Sequence, residues 1–277
     1  MKKYSKILGV TLTMACLLGT QAHATKVEVE VSNLFAEGGL ALTPLWAGFH
    51  DGSFDTFNAG ETASASLQAL AEEGNAAGII ADFNASSSNG VTGLVFGPEG
   101  FAGAPVIEPG EVTSAMFNID AVNNGYFSFL SMLIPTNDAF IGNDAPDAYS
   151  LFDSLGNFVG LDIIVVGANV WDSGTELNRG FGSPFLIGAG AEPRQDENGV
   201  VGLSNGLGVL PGGFSIIGGM TPAGYSIDAL AADFTAQGFE VARISVSEVS
   251  APAAMSGFGA IALLLIGMRR KLFGHKA

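Results

Sequence analysis

The stretch from Ser128 to Asp144, SFLSMLIPTNDAFIGND, constrains this chain more than any other. Phe129 to Ile134 is apolar except for Ser131, stops at Pro135, and opens into a polar loop carrying Asn137, Asp138, Asn143 and Asp144. A second, largely apolar run from Leu161 to Val166 ends shortly before another polar corner, Trp171-Asp172-Ser173-Gly174-Thr175-Glu176. Strands with apolar residues on both faces are central and buried, so both runs are expected to be inner strands. Their corners then project from a rigid base. Short carboxylates on two such corners, Asp138 and Asp172 among them, form a candidate oxygen-ligand site.

Charge narrows the function. Of 11 Lys and Arg, seven lie at the two ends, whereas all 27 acidic residues lie between Glu28 and Glu248. From Thr25 to Ser250 only Lys26, Arg179, Arg194 and Arg243 oppose those 27 acids, a balance of −23. So acidic a surface repels nucleic acid and anionic lipid, and favours cations or basic partners. The single cysteine, Cys16, sits in the N-terminal apolar run, so residues 25–249 carry no disulfide and no thiolate chemistry.

Residues 1–24 read as a secretory signal peptide, with Lys2, Lys3 and Lys6, an apolar core from Ile7 to Leu18, and an Ala22-His23-Ala24 cleavage site. Residues 25–249 form the expected folded domain. Lys26 to Val31 alternates strictly, as a half-buried strand does. Asn33 to Asp51 reads as a long loop. Around Leu67, Leu70 and Ala71 one short helix is expected, capped by Ser64 or Ser66 and ended by Gly74, covering an edge or end of the sheets. Short apolar segments between Gly, Pro and Asn clusters up to Ile119 suit an antiparallel β-sandwich. Phe239 to Val249 reads as a closing strand whose alternation changes phase at Val241–Ala242, as a bulge requires. Residues 250–277 form a tail: Ala251 to Met268 is uncharged, is followed by Arg269-Arg270-Lys271, and has the length of a transmembrane helix.

Several segments, taken in order, resemble the spondin domain, the amino-terminal module of F-spondin and mindin that also occurs in bacterial exported proteins. They are Val31-Ser32-Asn33-Leu34, Pro44 to His50, Ala63 to Leu67 with Leu70 to Asn75, Met132 to Gly142, Trp171 to Asn178, and Val241 to Ile244. The similarity spans roughly residues 27 to 248. It implies an all-β antiparallel sandwich, calcium held by loop carboxylates, and an adhesive or matrix role without catalysis. Asp138 and Asp172 match acidic positions of the family's two loops. A further family carboxylate falls near Met116, which offers no hard oxygen, leaving Asn118 or Asp120 as substitutes. The tail resembles the PEP-CTERM class of sorting signals, opening with Val249-Ser250-Ala251-Pro252. That likeness implies processing by an exosortase-type membrane protease and a place at the cell surface, outer envelope or matrix of a Gram-negative bacterium. Polysaccharide or surface proteins would be the partners there. A plain single-pass anchor is the alternative for the tail.

Other motifs are weighed against this reading. Asp172-Ser173-Gly174-Thr175 spells an aspartic-protease tetrad, but that chemistry needs two such carboxylates sharing a proton, and one copy is present. Asp172 and Glu176, with Asp138, offer the acids a secreted hydrolase of matrix polysaccharide would use, which is the alternative function. His50, the only histidine between residues 25 and 249, is expected to be structural, and Trp46 and Trp171 to pack in the core or at its rim.

Overall fold

The computed structural model describes residues 24–98, 104–178, 185–188, 194–207 and 216–249. The predicted signal helix and transmembrane tail lie outside the described residues. Among the described residues no helix is long and apolar enough to cross a membrane.

The chain runs β1 (Thr25–Asn33), β2 (Ala41–Leu42), β3 (Leu45–His50), α1 (Ala65–Glu73), α2 (Ala77–Ser86), β4 (Val91–Val95), β5 (Val112–Ile119), β6 (Tyr126–Ile134), β7 (Ala139–Gly142), β8 (Leu161–Val166), β9 (Val170–Asp172), β10 (Gly202–Leu203) and β11 (Glu240–Glu248). Two antiparallel sheets result. One has the order β5-β1-β11-β8; the other has the order β10-β9-β7-β6-β3-β4, with β2 paired to β6. Val27, Val29 and Val31 of β1 and Ile244 and Val246 of β11 share one apolar cluster with Ala47 and Phe49 of β3 and Phe127, Phe129 and Leu133 of β6. The inner faces of both sheets therefore build one core, a sandwich-like arrangement. Full burial of each large side chain in it stabilises by about 1.5–3 kcal/mol.

The helices form a third layer on the opposite face of the larger sheet. Trp46 of β3, Leu130 of β6 and Phe140 of β7 pack with Leu67, Leu70, Ala71, Ile79 and Phe83. In β3 the odd positions Leu45, Ala47 and Phe49 meet the other sheet, while Trp46 meets the helices. Being covered on both sides is why β3 and β6 are apolar without a period of two. α1 is bounded as its sequence dictates: Ser64 Oγ accepts from Leu67 N at 3.1 Å, and Gly74 adopts φ +67° at the C-cap.

Four expectations are corrected. The segment read as a long loop from Asn33 to Asp51 contains β2 and β3. A second helix, α2, follows α1, so there are two helices among the described residues rather than one. They lie on a sheet face rather than at an edge or end. The run Leu161–Val166 is an edge strand rather than an inner one: among the described residues β8 pairs only with β11, and Asp162 and Ile164 point outward. The bulge in the closing strand falls where expected, between Glu240 and Ala242.

Candidate functional site

Asp138 is the centre of the corner that the sequence singled out. It lies in the turn between β6 and β7 and is fully buried. Its Oδ2 accepts from Ser173 Oγ at 2.8 Å, Thr175 N at 3.0 Å and Glu176 N at 3.2 Å. Its backbone carbonyl accepts from Ser173 N at 3.2 Å. One carboxylate oxygen thus folds the second corner around itself, while the other, Oδ1, is buried with no hydrogen-bond partner. Burial pushes the Asp138 carboxyl above the usual range, and the nearby Asp172 charge pushes further.

Asp172 ends β9 and stands opposite Ala139, the residue after Asp138. Its Oδ1 accepts from Gly174 N at 2.8 Å and its Oδ2 from Asn178 Nδ2 at 2.5 Å. Burial raises its carboxyl too, against those two bonds and with the Glu197 charge adding to it. The turn needs a glycine at 174: φ is +68°, and a Cβ there would meet Val200 O at 2.5 Å. The two predicted corners do meet, but the geometry differs from the one expected. The second corner leaves β9, which pairs with β7, and β8 belongs to the other sheet.

Around this pair the structure adds groups the sequence left unconnected. Asn137 Nδ2 donates to Glu176 Oε1 at 3.2 Å, and burial together with the Glu72 charge keeps the Glu176 carboxyl raised. Glu72 comes from the last turn of α1. Burial pushes it up, yet hydrogen bonds from Arg194, Thr175 and Gln68 outweigh that and leave it lowered. Arg194 donates to both Glu72 oxygens, to Asp196 and to Thr175 O. One guanidinium therefore ties the helix to the acidic corner. Its rarity was the available signal, for Arg194 is one of four cations between Thr25 and Ser250.

Two carboxylates beside each other, one with an unpartnered buried oxygen, fit a hard cation: ionisation of both is costly until positive charge is supplied. Among the described residues no group of three or more His, Cys, Asp or Glu is disposed to hold a metal. Asp138 and Asp172 would hold a calcium ion with the rest of its six to eight oxygens drawn from backbone, Asn137 or water. Met116, the place of the further family carboxylate, is on β5 with its side chain half-exposed on the outward face of the other sheet. Asn118 shares that outward face, and Asp120 is occupied by its own turn, accepting from Val122 N and Asn123 N. As a hydrolytic acid Asp138 is badly placed, since its side chain is sealed from solvent.

The remaining residues fall into structural roles. His50 is buried, with Nδ1 accepting from Gly52 N and Nε2 donating to Ser128 Oγ, each at 3.0 Å, so it bonds an amide and a hydroxyl rather than a backbone carbonyl. Trp46 lies in the core; Trp171 is half-buried at the rim, donates to Gly142 O and packs edge-on to Phe57.

A comparison with curated proteins gives no match. The chain does match the Spondin_N family over residues 37–194, from ahead of β2 to beyond β9, the part that builds both corners. The closing strand, included in the similarity read from sequence, lies beyond that match. With more than half of the chain covered, this protein belongs to the Spondin_N family.

Proposed function

We propose that this protein is a non-enzymatic extracellular binding module of a bacterial cell surface or biofilm matrix. Its N-terminal segment directs export, and its C-terminal tail is a PEP-CTERM-like signal cut by an exosortase-type protease. The Asp138–Asp172 corner takes up calcium, which would stiffen the two turns against each other and present them to matrix polysaccharide or surface proteins. The observation that carries this reading is the coincidence of the family match with the residues forming the pinned corner. The strongly acidic surface supports partners that are cationic or bridged by divalent ions.

The test is retention of the purified protein on immobilised matrix polysaccharide and on whole cells, with calcium and with chelator. Saturable, calcium-dependent retention lost in Asp172→Ala supports the reading. Release of new reducing ends from the polysaccharide would replace it with a secreted hydrolase. Mass spectrometry of the mature protein locates both cuts, and an intact C-terminus would reject the sorting step.

A further inference from the structure

A second concavity lies apart from the acidic corner, with none of Asn137, Asp138, Asp172 or Glu176 lining it. It measures about 550 Å³, within the range of small-molecule sites. Its origin is a seam between two apolar clusters. Ile80 and Leu94 flank the helix-covered core, whereas Val106, Ile134 and Phe185 belong to a separate small cluster. Among the described residues no side chain fills the gap between them, and Phe96, 51% exposed, stands at its wall. An exposed phenylalanine beside a ready cavity is apolar surface that folding has not buried.

The rim of this cavity has a sign. α1 ends on it, with Glu72 and Glu73 in the last turn and no basic residue there. A helix C-terminus already carries partial negative charge, so acids at that end are placed against the dipole. Arg194 compensates Glu72. Glu73 lines the cavity, and of the described cations, Lys26, Arg194 and Arg243, none lines it. Lys26 stands on β1, and Arg243 is paired with Asp162. The balance of −23 between residues 25 and 250 adds a long-range field of the same sign.

We infer that this cavity binds a small amphipathic organic cation, an apolar or aromatic body seated between Phe96, Leu94 and Ile134 with an ammonium or guanidinium head at Glu73. The chemistry is independent of the Asp138–Asp172 corner. The apolar body supplies most of the affinity, and the exposed carboxylate supplies the preference for positive charge.

The test titrates the purified protein with three matched probes: 3-phenylpropylammonium, the neutral 3-phenylpropanol and the anionic 3-phenylpropanoate. The ammonium is expected to bind about two- to five-fold more tightly than the alcohol, the range an exposed ion pair provides, and the anion more weakly than either. Glu73→Gln should remove most of the preference of the ammonium over the alcohol, leaving only the small share of the long-range field, while leaving the alcohol unchanged. Phe96→Ala, at a side chain half in solvent, should weaken all three with no change in melting temperature, whereas Asp172→Ala should change none of them. Equal affinity for ammonium and alcohol, or no saturable binding at millimolar probe, overturns the inference. So does full retention of binding in Phe96→Ala.

Discussion

Replacing Asp138 separates the pinning of the turn, which the corner shows, from the calcium binding proposed for the same side chain. Asp138→Ala removes the acceptor of four hydrogen bonds, the longest of them from Thr175 Oγ1 at 3.4 Å. Ser173 Oγ can turn to Thr175 Oγ1, 2.5 Å away, so the hydroxyl keeps a partner. Thr175 N and Glu176 N lose theirs in a part-buried turn. Two stranded amides at about 1–3 kcal/mol each, less the recovered cost of burying a carboxylate, give a net loss of about 2–4 kcal/mol. Asp138→Asn keeps one amide oxygen as acceptor and removes the repulsion from Asp172, so without calcium it should stay within about 1 kcal/mol of the native protein. If the proposed calcium site forms, the native protein should gain about 2.7 kcal/mol at a hundred-fold excess of calcium over Kd, and neither variant should. Urea unfolding in calcium and in chelator reads all of these values. A native-like midpoint for Asp138→Ala would show that the pin is not what holds the turn. A full calcium gain in Asp138→Asn would remove the ion from this residue.

The other predictions concern neighbouring devices. Asp172→Ala, at a half-buried side chain with two donors, should cost about 1–2 kcal/mol and abolish any calcium-dependent rise in melting temperature; a preserved rise moves the ion elsewhere. His50 gives a pH dependence of defined sign. Burial holds its pKa below 6.5, with the Asp51 charge only partly opposing. The unfolded chain therefore takes up a proton as pH falls through 6.5 while the native state does not, so stability is full above 6.5 and declines below it, by up to about 1.4 kcal/mol per pH unit. Unfolding at pH 7.5 and 5.5 should show that part of the slope missing in His50→Gln, and identical slopes would refute it. Ser64→Ala removes the α1 cap and should cost about 1 kcal/mol by thermal melting, whereas Ser66→Ala, at a non-capping position, should cost less. Leu133→Ala, at a fully buried position between the sheets, should cost about 2–5 kcal/mol in the same assay.

What the sequence disclosed follows from where period and chemistry coincide. β1 alternates because one face meets the core and the other meets solvent, and its three valines are all fully buried. α1 carries its own punctuation in Ser64 and Gly74. β3 hides for the opposite reason. Leu45 to His50 is buried on both faces, so alternation vanishes, and Gly48 and the nearby Pro44 give it the composition of a loop. α2 has Ala76 at its N-cap, with no side-chain hydrogen bond there, and contains Gly78, so its start does not announce a helix. The apolar composition of Leu161–Val166 cannot distinguish an inner strand from an edge strand, because position in a sheet depends on pairings distant in sequence. For the same reason the link from Arg194 to Glu72, 122 residues apart, was invisible, although the two aspartates at the corner were not.

The corner hangs from two supports of unequal stiffness. Asp138 follows β6, nine residues long, flanked by β3 and β7 and covered above and below. Asp172 closes β9, three residues long, with only the two-residue β10 outside it among the described residues. One jaw of this clamp is therefore fixed to the keel of the molecule and the other is mounted near its gunwale. Grip can be retuned by substitutions along residues 176–178, beyond the buried Ser173 and the glycine that the turn needs at 174, with little disturbance to the frame, whereas changes at 135–138 reach straight into it.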